Sequence, residues 1–260
     1  MKQIKTVVVA CAVMTAAYGQ ALAAESSAAK AIELPAADRA VIDKLLGPGV
    51  VGAPVAGNPI ADLAKDFAFR DGTWTYRFVS GKQKGKTQQD VFTVSKRGKA
   101  GTVGRLAAGT KDVDYLRRSD DGGVVLVSEQ DNGEGVISRY APPEPILIPG
   151  LEPGDSRTIT IAVKVYDLGD PTDVSHTGSL NLTYSYLGAY KVTVPAGTYD
   201  AALLKWDYEG EVGPASIKDF QYRLVAKDAA MVASIDRLKV SAFLLYNDNT
   251  KSGRVLVSRK

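Results

Sequence analysis

VTVPAGTYDAALLKW, residues 192–206, is the stretch whose reading decides the fold. Val192 and Val194 end one alternating apolar segment, and Leu203, Leu204 and Trp206 belong to the next. Between them, Pro195 presets the first corner of a type I turn and Ala196 fills the second. Gly197 takes the left-handed position from which Thr198 and Tyr199 re-enter pairing. Every residue of the motif has a conformational task, so it predicts a β-hairpin turn and not a site.

Working outward, the same period of two continues in both directions. In RTITIAVKV, residues 157–165, Ile159, Ile161, Val163 and Val165 fall on one face, with Thr158, Thr160 and Lys164 on the other. In SLNLTYSY, residues 179–186, Leu180, Leu182, Tyr184 and Tyr186 align. Similar runs at 73–79, 87–95, 123–129, 198–209, 216–226, 232–246 and 253–258 are separated by turn dipeptides such as Asn132-Gly133. The chain is therefore expected to be all-β, with about ten strands in a curved antiparallel meander forming a partly open barrel or a sandwich. PAADRAVIDKLL, residues 35–46, predicts one short N-terminal helix stopped by Gly47-Pro48-Gly49, and VVGAPVAGNPI, residues 50–60, an extended strap.

Residues 1–23 read as a secretory signal peptide: Lys2 and Lys5 precede an apolar run, and Ala21 and Ala23 supply the small residues of a cleavage site. Tyr18, Gly19 and Gln20 interrupt that run before it reaches the roughly 20 residues a membrane span needs. The expected organisation is a signal peptide (1–23), a short helix with a Pro/Gly-rich strap (24–66) and an antiparallel β domain (67–260), with no transmembrane anchor after processing and a periplasmic location. Cys11, the only cysteine, lies in the signal, where the apolar core before it is too short for a lipoprotein box. The mature chain would then have no thiol chemistry. Losing Lys2 and Lys5 takes 32 basic residues to 30 against 29 acidic ones, a balance that gives nucleic acid no electrostatic purchase.

The hairpin resembles a family of bacterial periplasmic domains of unknown function. The resemblance also takes in Tyr140-Ala-Pro-Pro-Glu-Pro145, Pro149-Gly-Leu-Glu-Pro-Gly154 and residues 225–237. It implies a curved antiparallel sheet exported to the envelope, and no common activity. Lys227-Asp228-Ala229-Ala230 departs from the aromatic-Pro-Gly-Val-Gly run usual at that point.

No constellation of catalytic residues emerges. His176 is the only histidine and no Gly-x-Ser-x-Gly elbow exists, so neither a histidine metal site nor a serine triad is expected. Ser27 and Lys30 have the spacing of penicillin-recognising enzymes but sit in Ala-rich sequence just after the cleavage site, and residues 101–109 lack the Lys-Ser/Thr of a phosphate loop. Asp120, Asp121, Asp131, Glu134 and the carboxylates of residues 167–173 read as solvated turns. Lys82, Lys84 and Lys86, and then Lys96, Arg97 and Lys99, read as hairpin tips at opposite strand ends.

Aromatic faces are the most suggestive feature. Trp74, Tyr76 and Phe78 share one strand face, and Tyr184, Tyr186, Trp206, Tyr208 and Tyr222 lie on strands that could curve toward the same interior, as ligand-binding walls or as plain core. The expected function is a non-enzymatic envelope protein, without cofactor or metal, that binds a hydrophobic ligand or a protein partner on the concave face of its sheet. A periplasmic hydrolase using unidentified carboxylates and a purely structural interaction module are the alternatives. Intact-mass measurement of protein recovered from its native host should show an N-terminus at Ala24 and no acyl chain; a diacylated Cys11 would contradict it.

Overall fold

The protein was analysed as a computed structural model, which describes residues 31–57, 60–67, 69–96, 102–227, 230–242 and 246–260. The expected signal peptide, Ser27, Lys30, Arg97, Lys99 and Gly101 lie outside the described residues. Helix α1 (Ala36–Leu46) begins after Pro35 and ends at Gly47, as its sequence predicts. Strand β1 (Val51–Val55) and helix α2 (Ile60–Asp66) follow. Then come β2 (Gly72–Phe78), β3 (Thr87–Lys96), β4 (Thr102–Ala108), β5 (Asp112–Arg118), β6 (Val124–Asp131) and β7 (Val136–Leu147). The last six are β8 (Ser156–Asp167), β9 (Val174–Val194), β10 (Gly197–Val212), β11 (Ala215–Ala226), β12 (Ala230–Ala242) and β13 (Tyr246–Arg259).

Consecutive strands from β2 to β13 pair antiparallel, and β13 pairs with β2, so twelve strands close into a barrel. The meander thus has no open side. The ring runs through β9, whose first half pairs with β8 from Ser156↔Ser185 to Tyr166↔Val174 while Gly178–Val194 pairs with β10. Beyond the end of β8, β1 takes the same edge of β9, from Val51↔Val192 to Val55↔Ala189. The strap expected over residues 50–60 is therefore largely a thirteenth strand, which covers the backbone donors that β8 leaves unpaired.

Pro195 and Ala196 form the whole connection between β9 and β10, flanked by the pair Val194↔Gly197. Gly197 has φ +139°, and Ala196 N–H donates to Leu256 O at 3.2 Å, which ties the hairpin tip to β13. Leu187 has no partner where Leu203 opposes Gly188 and Leu204 opposes Tyr186, a bulge that shifts the phase of β9.

Alternation along β11 sorts its side chains between two environments. Gln221, Arg223 and Val225 face the interior of the ring, whereas Tyr222, Leu224 and Ala226 pack outward with Ile42, Leu45 and Leu46 of α1. Each such apolar side chain withdrawn from water is worth about 1.5–3 kcal/mol. Helix α1 is pinned by Tyr222 Oη donating to Asp38 Oδ1 at 2.6 Å and by Lys205 Nζ at 3.3 Å from the same oxygen. It sits so close to β13 that a Cβ on Gly253 would lie 2.3 Å from Leu45 O. Helix α2 packs Ile60, Leu63 and Ala64 into a second apolar cluster with β7, β8 and β9, and Arg118 donates to Ala64 O at 2.6 Å.

Among the described residues, only Val91 and Val174 are large apolar side chains exposed at the surface. Because Gly197 has a positive φ, Gly197→Val is expected to cost more than about 1 kcal/mol in urea denaturation while Thr198→Ala costs a few tenths. Equal, negligible effects would show that the tip does not constrain the fold.

Candidate binding cavity

Curvature of the closed ring leaves an internal cavity of about 210 Å³. Its apolar wall is built by Trp74 of β2, Phe92 of β3, Leu106 of β4, Leu116 of β5, Leu126 of β6, Ile146 of β7 and Trp206 of β10. Phe67, just after α2, adds an edge-to-face contact to Phe92 at 6.3 Å between ring centres, as does Trp74 at 6.5 Å. Helix α2 is what carries Phe67 to this position.

The eight aromatic residues singled out in the sequence divide into distinct roles. Trp74, Tyr76 and Trp206 line the cavity. Trp206 is also fixed from outside it: its indole N–H donates to Pro145 O at 2.8 Å, and its ring stands edge-on to Tyr184 at 4.9 Å. Tyr184 and Tyr186 are fully buried in the cluster packed by α2, with Tyr184 Oη donating to Ile146 O at 3.2 Å. Phe78 is buried but does not line the cavity. Tyr208 lies behind the wall, its hydroxyl donating to Glu144 Oε1 at 2.6 Å. Tyr222 faces α1, on the other side of the sheet.

The structure adds a set of charged residues that the sequence did not single out. Asp90, Asp114, Glu129 and Glu144 line the cavity together with Gln221, Arg223 and Arg254. Both arginines are already engaged. Arg254 Nη1 lies 2.9 Å from Asp90 Oδ2, its Nε donates to Ser234 Oγ, and its guanidinium stacks 4.7 Å over the Tyr76 ring. Arg223 Nη2 lies 2.7 Å from Asp236 Oδ1 and 2.6 Å from Gln221 Oε1. Asp114, Glu129 and Glu144 therefore have no ion pair to either arginine.

Hydrogen bonds partly support two of the three. Tyr140 Oη donates to Glu129 Oε2 at 3.0 Å, and Tyr208 supports Glu144. Asp114, directly opposite Glu129 in the β5–β6 register, makes no side-chain hydrogen bond among the described residues; burial and neighbouring charge are what act on it. Burial raises the affinity of all three for a proton. It pushes Glu144 up to about 7, with the Glu129 charge adding to the shift and the Tyr208 bond opposing it. Burial, then the facing Glu129, holds Asp114 well above the usual carboxylate range, and burial raises Glu129 against the pull of its Tyr140 bond.

A sequence signal for these residues existed. Asp90 is in phase with Phe92, Asp114 with Leu116, Glu144 with Ile146 and Arg223 with Val225. Each is a charge at a core-facing position of a strand. Glu129 could not be found this way, because Val127 is left unpaired between Leu126 and Ser128 and the bulge inverts the phase of β6. The carboxylates that the sequence did single out are turn residues. Asp121 accepts from Gly123 N–H, Asp131 from Gly133 and Glu134 N–H, and Asp170 from Thr172. His176 is exposed on β9, paired with Val165.

No family model and no curated protein matches the chain. Solved structures do. A Bacteroides fragilis protein of YmcC-like fold, described as exported, is similar over 73% of this chain and 95% of its own, at 14% identity and TM-score 0.40. A Parabacteroides distasonis protein described as a lipoprotein is similar over 74% and 95%, at 13% identity and TM-score 0.34. The hypothetical lipoprotein YmcC of Escherichia coli is similar over 71% and 85%, at 8% identity and TM-score 0.39.

Protonation of the cavity has a consequence for stability. Folded protein holds the Glu144 proton up to about pH 7, whereas a free glutamate releases it near 4.5, so folding takes up a proton between these values. Stability conferred below pH 4.5 is lost as pH rises through 7, by about 3 kcal/mol at most. Glu144→Gln keeps an acceptor for Tyr208 and removes the titration. Urea denaturation should show the variant close to wild type at pH 4.5 and more stable by about 1–3 kcal/mol at pH 8; a difference independent of pH would show that Glu144 titrates as an ordinary glutamate.

Proposed function

We propose that the protein is an exported, non-enzymatic envelope protein that holds a compact amphiphilic small molecule inside its barrel. The observation that carries this reading is the internal cavity, lined both by aromatic and aliphatic side chains and by several polar and charged groups. That is the ordinary composition of a small-molecule site, in which apolar contact supplies affinity and a few polar groups fix orientation. The apolar body would lie against Trp74, Phe92 and Trp206, and the polar end against Asp114, Glu129 and Glu144. A small molecule suits the site better than a protein partner, because ring closure encloses the face that an open sheet would have offered. Export rests on the N-terminal residues, whose pattern is that of a cleaved signal.

Carboxylates in a cavity also bear on the hydrolase alternative. Acid–base hydrolysis needs one carboxyl kept protonated and a second kept ionised, by environments that push them apart. Here burial pushes Asp114, Glu129 and Glu144 in the same direction. The arrangement favours holding a ligand over dividing the work of a reaction.

Binding is tested with 2-phenylethanol as a neutral amphiphilic probe. It should raise Tm, since a ligand at 100 times its Kd stabilises the native state by about 2.7 kcal/mol. Leu106→Trp, which fills the cavity from β4, should abolish the shift. An unchanged Tm in wild type, or an equal shift in the filled variant, would contradict binding in this cavity.

A further inference from the structure

We propose that the ligand's polar end is a cation, specifically an alkylammonium, received between Asp114 and Glu129 with Glu144 beside them. This rests on the cavity being the binding site. Its own support is the distribution of charge within the ring. Four carboxylates line the cavity against two arginines. Arg254 is committed to Asp90, and Arg223 to Asp236, which is outside the lining. Three inward carboxylates thus make no direct ion pair, and the Arg223 charge that acts on all of them is shared with Asp236.

Buried like charges of this kind are tolerated only when neutralised by protons or by a bound counter-charge. Asp114 shows which remedy the cavity is built to take. It is partly exposed, lines the cavity, faces Glu129 across the β5–β6 pair, and forms no side-chain hydrogen bond among the described residues. A carboxyl present only to be neutralised by a proton would gain from a neighbouring acceptor or donor, as Glu144 does from Tyr208. Asp114 instead keeps its oxygens free for something in the cavity. An ammonium carries three donors and no acceptor, which matches a cluster of acceptors; a carboxylate or phosphate ligand would be repelled. The adjoining indole and phenyl faces of Trp74, Trp206 and Phe92 suit both the apolar body and the cation itself.

Titration follows from the same geometry. The charged and titratable groups around Asp114 are Asp112 of its own strand, Glu129 from β6, Tyr140 and Glu144 from β7 and Arg223 from β11, with Asp90 from β3 and Arg254 from β13 elsewhere in the lining. An ammonium favours their ionised carboxylates, so it must displace protons that the empty cavity holds. Affinity for an amine should therefore rise with pH through the neutral range, with proton release, while affinity for a neutral analogue of the same shape should not.

The experiment compares 2-phenylethylamine, 2-phenylethanol and 3-phenylpropionate by titration calorimetry at pH 5.5 and 8, in buffers of differing ionisation enthalpy. The amine should bind at least tenfold more tightly than the alcohol at pH 8, release about one proton, and lose most of that preference at pH 5.5. Asp114→Asn and Glu129→Gln should each reduce the preference for the amine over the alcohol at least tenfold, with circular dichroism and urea denaturation showing that the variants are folded. If alcohol and amine bind equally, or phenylpropionate binds best, the cation proposal fails while the cavity stands as a binding site. If none of the three binds, the cavity reading fails and takes this proposal with it.

Discussion

The structure depends on the pairing of β9 with three other strands. From Gly178 to Val194 it runs along β10 on one side, and on the other it runs along β8 and then β1. Without the β8–β9 ladder, the sheet from β9 round to β8 would be an open, curved ribbon with two exposed edges. With it, the inward faces of twelve strands confront one another around a closed interior. The bulge at Leu187 lets β9 and β10 continue beyond that ring, where their tip hydrogen-bonds to β13. One long hairpin thus both closes the barrel and covers part of its outside.

A closed interior of this width cannot be filled by alternating apolar residues alone. Several aromatic rings, Phe67 after α2 among them, take up part of the space. Helix α1 covers the outer face of β11–β13, and α2 brings Phe67 against Phe92. What remains is lined partly by charge. Asp90 with Arg254, and Asp236 with Arg223, are local pairs that stabilise the wall itself. Asp114, Glu129 and Glu144 are different, because burial raises their proton affinity by more than the nearby charge of Arg223, itself paired with Asp236, lowers it. A fold that keeps such groups inward gives up stability at neutral pH, which is a physical reason to connect them with binding.

Much of the fold was legible because it rests on local chemistry. Residues 192–206 showed their turn through Pro195 and Gly197, and residues 35–46 showed a helix through spacing and stop signals. Closure was not legible, since the pairing of β13 with β2, such as Leu256 opposite Tyr76, joins strands far apart in the sequence by an alternation that edge strands would also have. Helix α2 was too short for its periodicity to stand out, and β1 read as a strap because Gly52 and Pro54 are poor strand formers. In the cavity, Trp74, Tyr76 and Trp206 were found as aromatics on strand faces. Tyr222 was placed on the same interior, yet it faces outward, because its neighbours Arg223 and Gln221 take the inward positions that an aromatic was expected to fill. The inward carboxylates interrupt apolar alternation at single positions, which resembles a solvent-facing residue until the opposite wall is known.

Carboxyl-carbon NMR titration of the folded protein tests the central physical claim, an interior holding carboxyls that are short of cations. Glu144 should titrate with a midpoint near 7, and the resonances of Asp114 and Glu129 should move above the ordinary range and shift together, with each responding to substitution of the other. If Asp114, Glu129 and Glu144 all titrate near pH 4 and independently of one another, the interior is wet and open, and the charged cavity described for this barrel does not exist in solution.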